Sequence, residues 1–214
     1  MKRATFRLER SMFAEGARTV AGVDEVGRGA WAGPLSVGVF VLDAARLRRF
    51  PAGVRDSKVL TPAAREELFE PLRRVGVGVA VGHASNEECD ELGMTAAQRL
   101  ATRRAFGQLD ELPDACILDG NWNFCDLATA RPVVDADATC LVVAAASVLA
   151  KVTRDRMMVE LAPAHPEYAF QRNKGYPSPE HRAAIARLGL TALHRASWSF
   201  ARPEMPLPAS GLLG

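Results

Sequence analysis

The apolar positions of this chain alternate between short runs typical of strands and longer stretches with helical spacing. Apolar, partly β-branched runs predict strands at 18–23, 34–42, 75–82, 114–119 and 131–135. Helical periodicity predicts helices at 62–74, 94–109, 138–161 and 179–188, and Ser85 to Glu88 fits a capping box. Three strands followed by alternating helices and strands form a mixed sheet with helices packed on it, so we assign the α/β class.

Length and composition predict a single globular domain. The chain has 214 residues, of which 48% are hydrophobic and 24% charged, which is enough for one sizeable core. We divide it into a charged lead-in at 1–17, a folded domain at 18–201 and a proline-containing tail at 202–214 that we expect to be disordered. We see no repeat and no second domain, and we expect a monomer.

Several classes of protein are disfavoured by what the sequence lacks. It contains no run of 18 apolar residues and no apolar segment behind the charged N-terminus, so we predict no membrane span, no signal peptide and a cytoplasmic location. Its four cysteines lack metal-binding or disulfide spacing, and its histidines are scattered with no serine in a nucleophile elbow. A net charge of +2 is too small to indicate a nucleic-acid partner.

The most informative segment places two carboxylates directly before a glycine-arginine-glycine turn. Residues 22–29 read GVDEVGRG, so the first predicted strand delivers Asp24 and Glu25 to the sheet edge. Carboxylates there can bind hard divalent cations, and Arg28 offers a planar set of donors to phosphate oxygens. The alternative is a solvated acidic turn, which is the more common role of an isolated Asp-Glu pair.

Two further aspartates follow in positions that a sheet can bring to the same cleft. Asp119 ends the strand at 114–119, and Asp137 precedes the long helix. Converging carboxylates repel one another unless cations neutralise them, which favours a pair of Mg²⁺ or Mn²⁺ ions and phosphodiester hydrolysis. Alternatively, Asp119 is a turn residue, Asp137 a helix-start residue, and Asp135 competes with Asp137 for the same role.

Lysine is rare here, and its positions are informative. Of 27 basic residues only four are lysine, and three of them, Lys58, Lys151 and Lys174, lie in the motifs DSK, AAASVLAK and NKGY. An ammonium on a flexible stem is a good point-charge partner for phosphate. We therefore predict phosphate contacts for these three lysines and none for Lys2.

These motifs, in this order, resemble the bacterial ribonuclease HII family over about residues 19–200. The matching segments are GVDEVGRG at 22–29, DSK at 56–58, LDG at 118–120, AAAS at 144–147 with KVTRD at 151–155, and NKGYP at 173–177. The family's His-Arg-x-Ser-Phe is represented by HRASWSF at 194–200, which leaves its last aromatic between Trp198 and Phe200.

The resemblance implies a fold, an activity and a metal site. It implies a ribonuclease-H-like mixed five-stranded sheet with a C-terminal helical extension. It also implies an endonuclease that cuts the RNA strand of RNA/DNA hybrids and incises 5′ of ribonucleotides in duplex DNA, leaving 3′-hydroxyl and 5′-phosphate ends. Asp24, Glu25, Asp119 and Asp137 match the family's ligands for two divalent ions. We select Asp137 because it stands ten residues before Ser147, although Ala136 replaces the usual glycine.

The resemblance also implies how the substrate is read. The backbone of Gly27, Arg28 and Gly29 would contact the ribose 2′-hydroxyl, the group that distinguishes RNA from DNA, and Tyr176 would stack on the following sugar. Ser147, Lys151 and Arg154 recur at i, i+4 and i+7, hence on one helix face, where they would grip the nucleic-acid backbone. The full set of predicted substrate contacts is Gly27, Arg28, Gly29, Ser57, Lys58, Ser147, Lys151, Arg154, Lys174 and Tyr176.

Two alternatives bear on the same fold. The sister family ribonuclease HIII has an added N-terminal domain, for which the 23 residues before Asp24 leave no room. A nucleic-acid-binding module without catalysis would not need four carboxylates. A sliding-clamp contact is left open, because the tail shows no glutamine-led clamp-binding motif.

Overall fold

A computed structural model describes residues 4–201 and contains one five-stranded mixed sheet. The strands are β1 (Thr19–Val26), β2 (Leu35–Asp43), β3 (Gly78–Ala84), β4 (Ala115–Asp119) and β5 (Ala130–Val133). Their order is β3-β2-β1-β4-β5. β2 is antiparallel to β1 and β3, whereas β4 is parallel to β1 and β5. β1 is therefore the central strand, and its carboxyl end lies beside that of β4.

Helices cover both faces of the sheet. They are α1 (Arg7–Ala14), α2 (Pro62–Val75), α3 (Asn86–Phe106), α4 (Ala136–Thr139), α5 (Leu141–Leu161), α6 (Phe170–Asn173) and α7 (Pro179–Leu188). The predicted α/β class and five-stranded ribonuclease-H-like sheet are confirmed, with α6 and α7 forming the C-terminal extension. Within residues 4–201, no helix is both long and apolar enough to cross a membrane. The predicted disordered tail at 202–214 lies outside the described residues.

Two glycines let the long helices approach the sheet closely. A Cβ on Gly22 of β1 would lie 2.2 Å from the Val142 carbonyl carbon at the start of α5. On the opposite face, a Cβ on Gly82 of β3 would lie 2.1 Å from the Ala101 carbonyl oxygen of α3. A side chain at either position would force the layers apart, so the glycines set the distance between each helix and the sheet.

The alternation of the strands builds two separate cores. Val20, Phe40 and Ile117 pack under α5, whereas Val23 and Leu118 pack under α3. Residues adjacent along β1 and β4 thus go to opposite faces, as the twofold strand period requires. A third apolar cluster joins the end of α5 to the C-terminal extension.

Three local predictions differ from the structure. The predicted helix at 138–161 is interrupted at Cys140, whose φ of −116° and ψ of 125° separate α4 from α5. Helix α3 begins at Asn86, directly after the predicted capping box at Ser85, so it includes residues ahead of the predicted helical pattern, and Gly93 produces a kink within it. The lead-in also contains α1, whose buried Glu9 accepts a hydrogen bond from the Val142 N–H at 3.1 Å. Glu9 thereby caps α5, which has no side-chain cap of its own.

Candidate active site

Asp24 and Glu25 lie side by side in β1, and their side chains point to opposite faces of the sheet. Gly22 contacts α5 and Val23 belongs to the core under α3, so Asp24 faces α5 and Glu25 faces α3. Asp24 is only 4% exposed, and Glu25 is half-buried. The strand prediction ended too early, because pairing with β2 continues to Val26 and holds both carboxylates within the strand.

Asp119 links the end of β4 to the start of α4. Its Oδ1 accepts hydrogen bonds from the Ala136 N–H at 2.7 Å and the Asp137 N–H at 3.4 Å. Amides at the start of a helix have no partner within the helix, so the Asp119 carboxylate satisfies two of them. It thereby anchors α4, and with it Asp137, at the carboxyl end of the central strands.

Of the two competing aspartates, Asp137 is the one that faces the other carboxylates. It is 4% exposed, and its charge acts on Asp24 and Asp119. Asp135 is exposed and has a left-handed φ of 57° at the turn into α4. This arrangement favours the assignment of Asp137 to the site.

The carboxylates raise one another's pKa values. Burial raises the pKa of Asp24 well above its usual range, and the negative charge of Glu25 adds to the rise. Burial also raises the pKa of Glu25, and the charge of Asp119 adds to the rise. Burial raises the pKa of Asp119 in the same way, and the charge of Asp137 adds to it. The site therefore holds more negative charge than its surroundings neutralise, which is the condition for binding a cation.

Lys58 supplies part of the missing positive charge. Its Nζ lies 2.7 Å from Asp137 Oδ2, and its side chain is 72% exposed. Although partial burial opposes it, the hydrogen bond and charge of Asp137 raise the pKa of Lys58. The ammonium therefore stays charged at the mouth of the site, with most of its surface open to solvent.

Ser57 and Ser147 lie beneath this surface. Both are 4% exposed, and their hydroxyls are 2.7 Å apart. Ser147 also lowers the pKa of Asp24 by hydrogen bonding, against the larger effect of burial. In the structure the two serines thus join the DSK segment to α5 and support Asp24, and their predicted contact with substrate stays a prediction.

The Gly-Arg-Gly turn presents open backbone to solvent. Gly27 has a φ of 86°, and its N–H donates to Tyr176 Oη at 3.1 Å. A Cβ on Gly29 would meet nothing within 4 Å. The turn is therefore bonded to the predicted stacking tyrosine while its far side remains accessible.

Two buried arginines hold this turn and the chain that follows it. Arg195 is fully buried and donates to the carbonyls of Gly27 at 2.7 Å, Arg28 at 3.0 Å and Gly33 at 3.2 Å. Arg154 is also fully buried, and its guanidinium donates to the carbonyls of Pro34, Lys174 and Ala32.

The predicted contact of Arg154 with substrate stays a prediction, and in this structure its guanidinium faces the backbone. The i+7 position does lie on the same face of α5 as Ser147 and Lys151, but one turn further on that face is covered by the chain at 32–34 and 174. All three guanidinium nitrogens donate to backbone carbonyls, so Arg154 holds the chain at 32–34 against residue 174.

Tyr176 lies against two cations. Lys151 Nζ is 5.4 Å from the centre of its ring, and the Arg154 guanidinium carbon is 5.3 Å from it, distances at which cation–π attraction acts. Lys151 also pairs with Asp155 at 2.7 Å. Lys174 Nζ donates to the Gln171 carbonyl, and burial lowers its pKa.

Two histidines that the sequence analysis set aside hold the Tyr176 backbone. Thr191 N–H donates to His194 Nδ1 at 2.9 Å, so the proton of neutral His194 is on Nε2. His194 Nε2 then donates to His181 Nε2 at 3.0 Å, and His181 Nδ1 donates to the Tyr176 carbonyl at 2.9 Å. The Thr191 N–H can only donate and the Tyr176 carbonyl can only accept, so the tautomers of both histidines are determined.

Gln98 is a further contact that the sequence analysis missed. It is 1% exposed on α3, its Nε2 donates to Glu25 Oε2 at 3.2 Å, and its Oε1 accepts from Arg28 Nη1. The available signal was a glutamine among small residues of one helix, such as Ala97, Ala101 and Thr102, all of which are buried. For His194 the signal was its place at the start of the HRASWSF segment, whereas His181 lies in none of the matched segments.

The four carboxylates suit hard cations in chemistry, although they do not form a ready-made ligand cluster. Across residues 4–201, no three acidic, histidine or cysteine side chains approach closely enough to hold an ion by themselves. The oxygen donors are of the type that Mg²⁺ and Mn²⁺ prefer. A bound cation would relieve the mutual repulsion of these buried carboxylates, so the residues fit a divalent metal site.

Comparison with known proteins assigns the chain to a family. A family profile for ribonuclease HII matches residues 21–201. Ribonuclease HII of Streptomyces avermitilis is 51% identical over 198 residues, covering 92% of this chain and 84% of that protein. The crystal structure of ribonuclease H2 from Pyrococcus horikoshii superposes with a TM-score of 0.72 and 32% identity, covering 86% of this chain and 95% of that one.

A structure of RNase HII from Archaeoglobus fulgidus in complex with PCNA gives a TM-score of 0.70 at 27% identity, covering 87% of this chain and 98% of that one. Fold and site thus define an endonuclease of the ribonuclease H class, a phosphodiester hydrolase. The chain belongs to the ribonuclease HII family. Family and fold together support ribonuclease activity on RNA/DNA hybrids.

Proposed function

We propose that this protein is a divalent-metal-dependent endoribonuclease that cleaves the RNA strand of RNA/DNA hybrids and incises 5′ of single ribonucleotides in duplex DNA. It leaves 3′-hydroxyl and 5′-phosphate ends. The observation that carries the proposal is the bond between Gly27 and Tyr176. It joins the turn after the Asp24–Glu25 pair to an aromatic ring, so a sugar-reading surface lies directly beside the carboxylates.

Asp24, Glu25, Asp119 and Asp137 would hold two divalent ions, Mg²⁺ or Mn²⁺. Such ions activate the attacking water and stabilise the leaving oxygen of a phosphodiester. The burial of Asp24 and the anchoring of Asp137 by the Asp119 carboxylate keep these oxygens in place before substrate arrives.

The exposed backbone at Gly29 would meet the ribose 2′-hydroxyl. A main chain without a Cβ can approach a sugar closely, and amides and carbonyls can satisfy a hydroxyl that both donates and accepts. Tyr176, with its ring backed by Lys151 and Arg154, would stack on the next deoxyribose. The exposed Lys58 would contact a phosphate.

The test is cleavage of three duplexes of one sequence, carrying no ribonucleotide, one ribonucleotide or a run of them, each with Mg²⁺, with Mn²⁺ or with EDTA. We expect incision 5′ of the single ribonucleotide, cleavage within the run, no cutting of all-DNA duplex and no activity in EDTA. An enzyme that cuts the run and ignores the single ribonucleotide would refute the sugar-reading role. Activity that persists in EDTA would refute the metal site.

A further inference from the structure

Gln98 connects two parts of the site that lie three residues apart in the chain, Glu25 in β1 and Arg28 in the turn that follows it. Its amide bridges the Glu25 carboxylate on one side and the Arg28 guanidinium on the other. It reaches them from α3, a helix that contributes no other polar contact to either group among the described residues. Glu25 is a proposed metal ligand, and Arg28 is the centre of the turn proposed to read ribose.

The orientation of this amide is determined by its partners. A carboxylate can only accept and a guanidinium can only donate, so the NH₂ must face Glu25 and the oxygen must face Arg28. The flipped amide would set donor against donor and acceptor against acceptor. Gln98 is also 1% exposed, so water cannot readily replace either bond.

We propose that Gln98 is a positioning residue that couples docking of a ribonucleotide at the 27–29 turn to the orientation of the Glu25 carboxylate. This proposal rests on the proposed function and describes how cleavage is regulated within the same site. A sugar that shifts Arg28 shifts the amide, and the amide shifts Glu25. Cleavage would then depend on a ribonucleotide being present, and not only on binding of a duplex.

The test replaces Gln98 with methionine, which has similar volume and neither hydrogen bond. One bond to a charged group corresponds to roughly tenfold in an equilibrium, so we expect kcat on the single-ribonucleotide duplex to fall about tenfold with KM near that of the parent. Calorimetric titration of the substrate-free protein with Mn²⁺ should show weaker binding. Gln108→Met, an exposed glutamine just after the same helix, is the matched control and should behave as the parent.

A double-mutant cycle with Arg28→Met separates coupling from general damage. If Gln98 acts through Arg28, the double variant should be no worse than the more damaging single variant, within about twofold. Multiplied losses, or a Gln98→Met enzyme with parental kcat and Mn²⁺ binding, would overturn the inference. Failure of the parent to incise the single-ribonucleotide duplex would instead overturn the proposed function, so the two failures are distinguishable.

Discussion

Acidification should destabilise this protein through its buried histidine chain. Burial, and then the neighbouring His181, lower the pKa of His194 from 6.5 to about 4. A proton added to His181 would lie on Nε2 and set two N–H groups against each other across the 3.0 Å to His194 Nε2. A proton added to His194 would lie on Nδ1 and face the Thr191 N–H at 2.9 Å. The unfolded chain binds this proton near pH 6.5, and the folded chain binds it only near pH 4. Stability is therefore lost as pH falls through that window.

The size of the loss follows from the same pair of values. A fall in pKa from 6.5 to about 4 corresponds to about 3 kcal/mol. For a domain of this size, that is a decrease in melting temperature of about 10 °C. Asp24, Glu25 and Asp119 act in the opposite direction. A carboxyl whose pKa is raised in the folded state contributes stability that the protein loses as pH rises.

The assay is thermal unfolding by circular dichroism from pH 7 to pH 4 in EDTA, for the parent and for His194→Asn. The variant should be less stable at pH 7. The difference in stability between parent and variant should close as pH falls, because only the parent loses the contribution of His194. The carboxylates contribute equally to both proteins and do not affect this difference. His165→Asn, which alters a half-exposed histidine beside Tyr168 and Phe170, is the control. The charge of His165 is the smallest of the influences on the pKa of His194, so this variant should keep nearly all of the parental pH dependence. A gap between parent and His194→Asn that stays constant from pH 7 to pH 4 would refute the proton-chain argument.

Four further predictions concern activity and substrate binding. Neutralising any one proposed ligand should reduce turnover by orders of magnitude with the fold intact, whereas Asp135→Asn should have a much smaller effect; steady-state kinetics and circular dichroism would be compared for Asp24→Asn, Glu25→Gln, Asp119→Asn and Asp137→Asn. Replacing the exposed Lys58 by alanine should lower the slope of log binding constant against log salt by about one, with Lys2→Ala unchanged; equal slopes would contradict a phosphate contact. Tyr176→Phe should lose only a few-fold in activity, since one neutral hydrogen bond is worth about 1 kcal/mol, while Tyr176→Ala should lose about a hundredfold by misplacing the phosphate; similar losses would argue against stacking. Gly29→Ala should lose activity at parental stability, because a Cβ there meets nothing in the free protein.

Local signals in the sequence determined most of the architecture. Apolar, partly β-branched runs predicted the five strands, and the class of sheet followed from their order. The carboxylates and the Gly-Arg-Gly turn were also visible, because acid pairs and glycines are unusual beside strands and lie close together in the chain. What such signals describe is the conformation and chemistry of neighbouring residues.

Tertiary packing decided the roles of the longer side chains. Helical spacing put Arg154 on the face of Lys151, but only the fold shows that backbone carbonyls bury it. Gln98 belongs to the site because it contacts residues 70 or more positions away in the chain. His194 belongs to it because it contacts His181, 13 residues earlier. A side chain's partner depends on where distant segments meet, and the periodicity of a single segment does not contain that information.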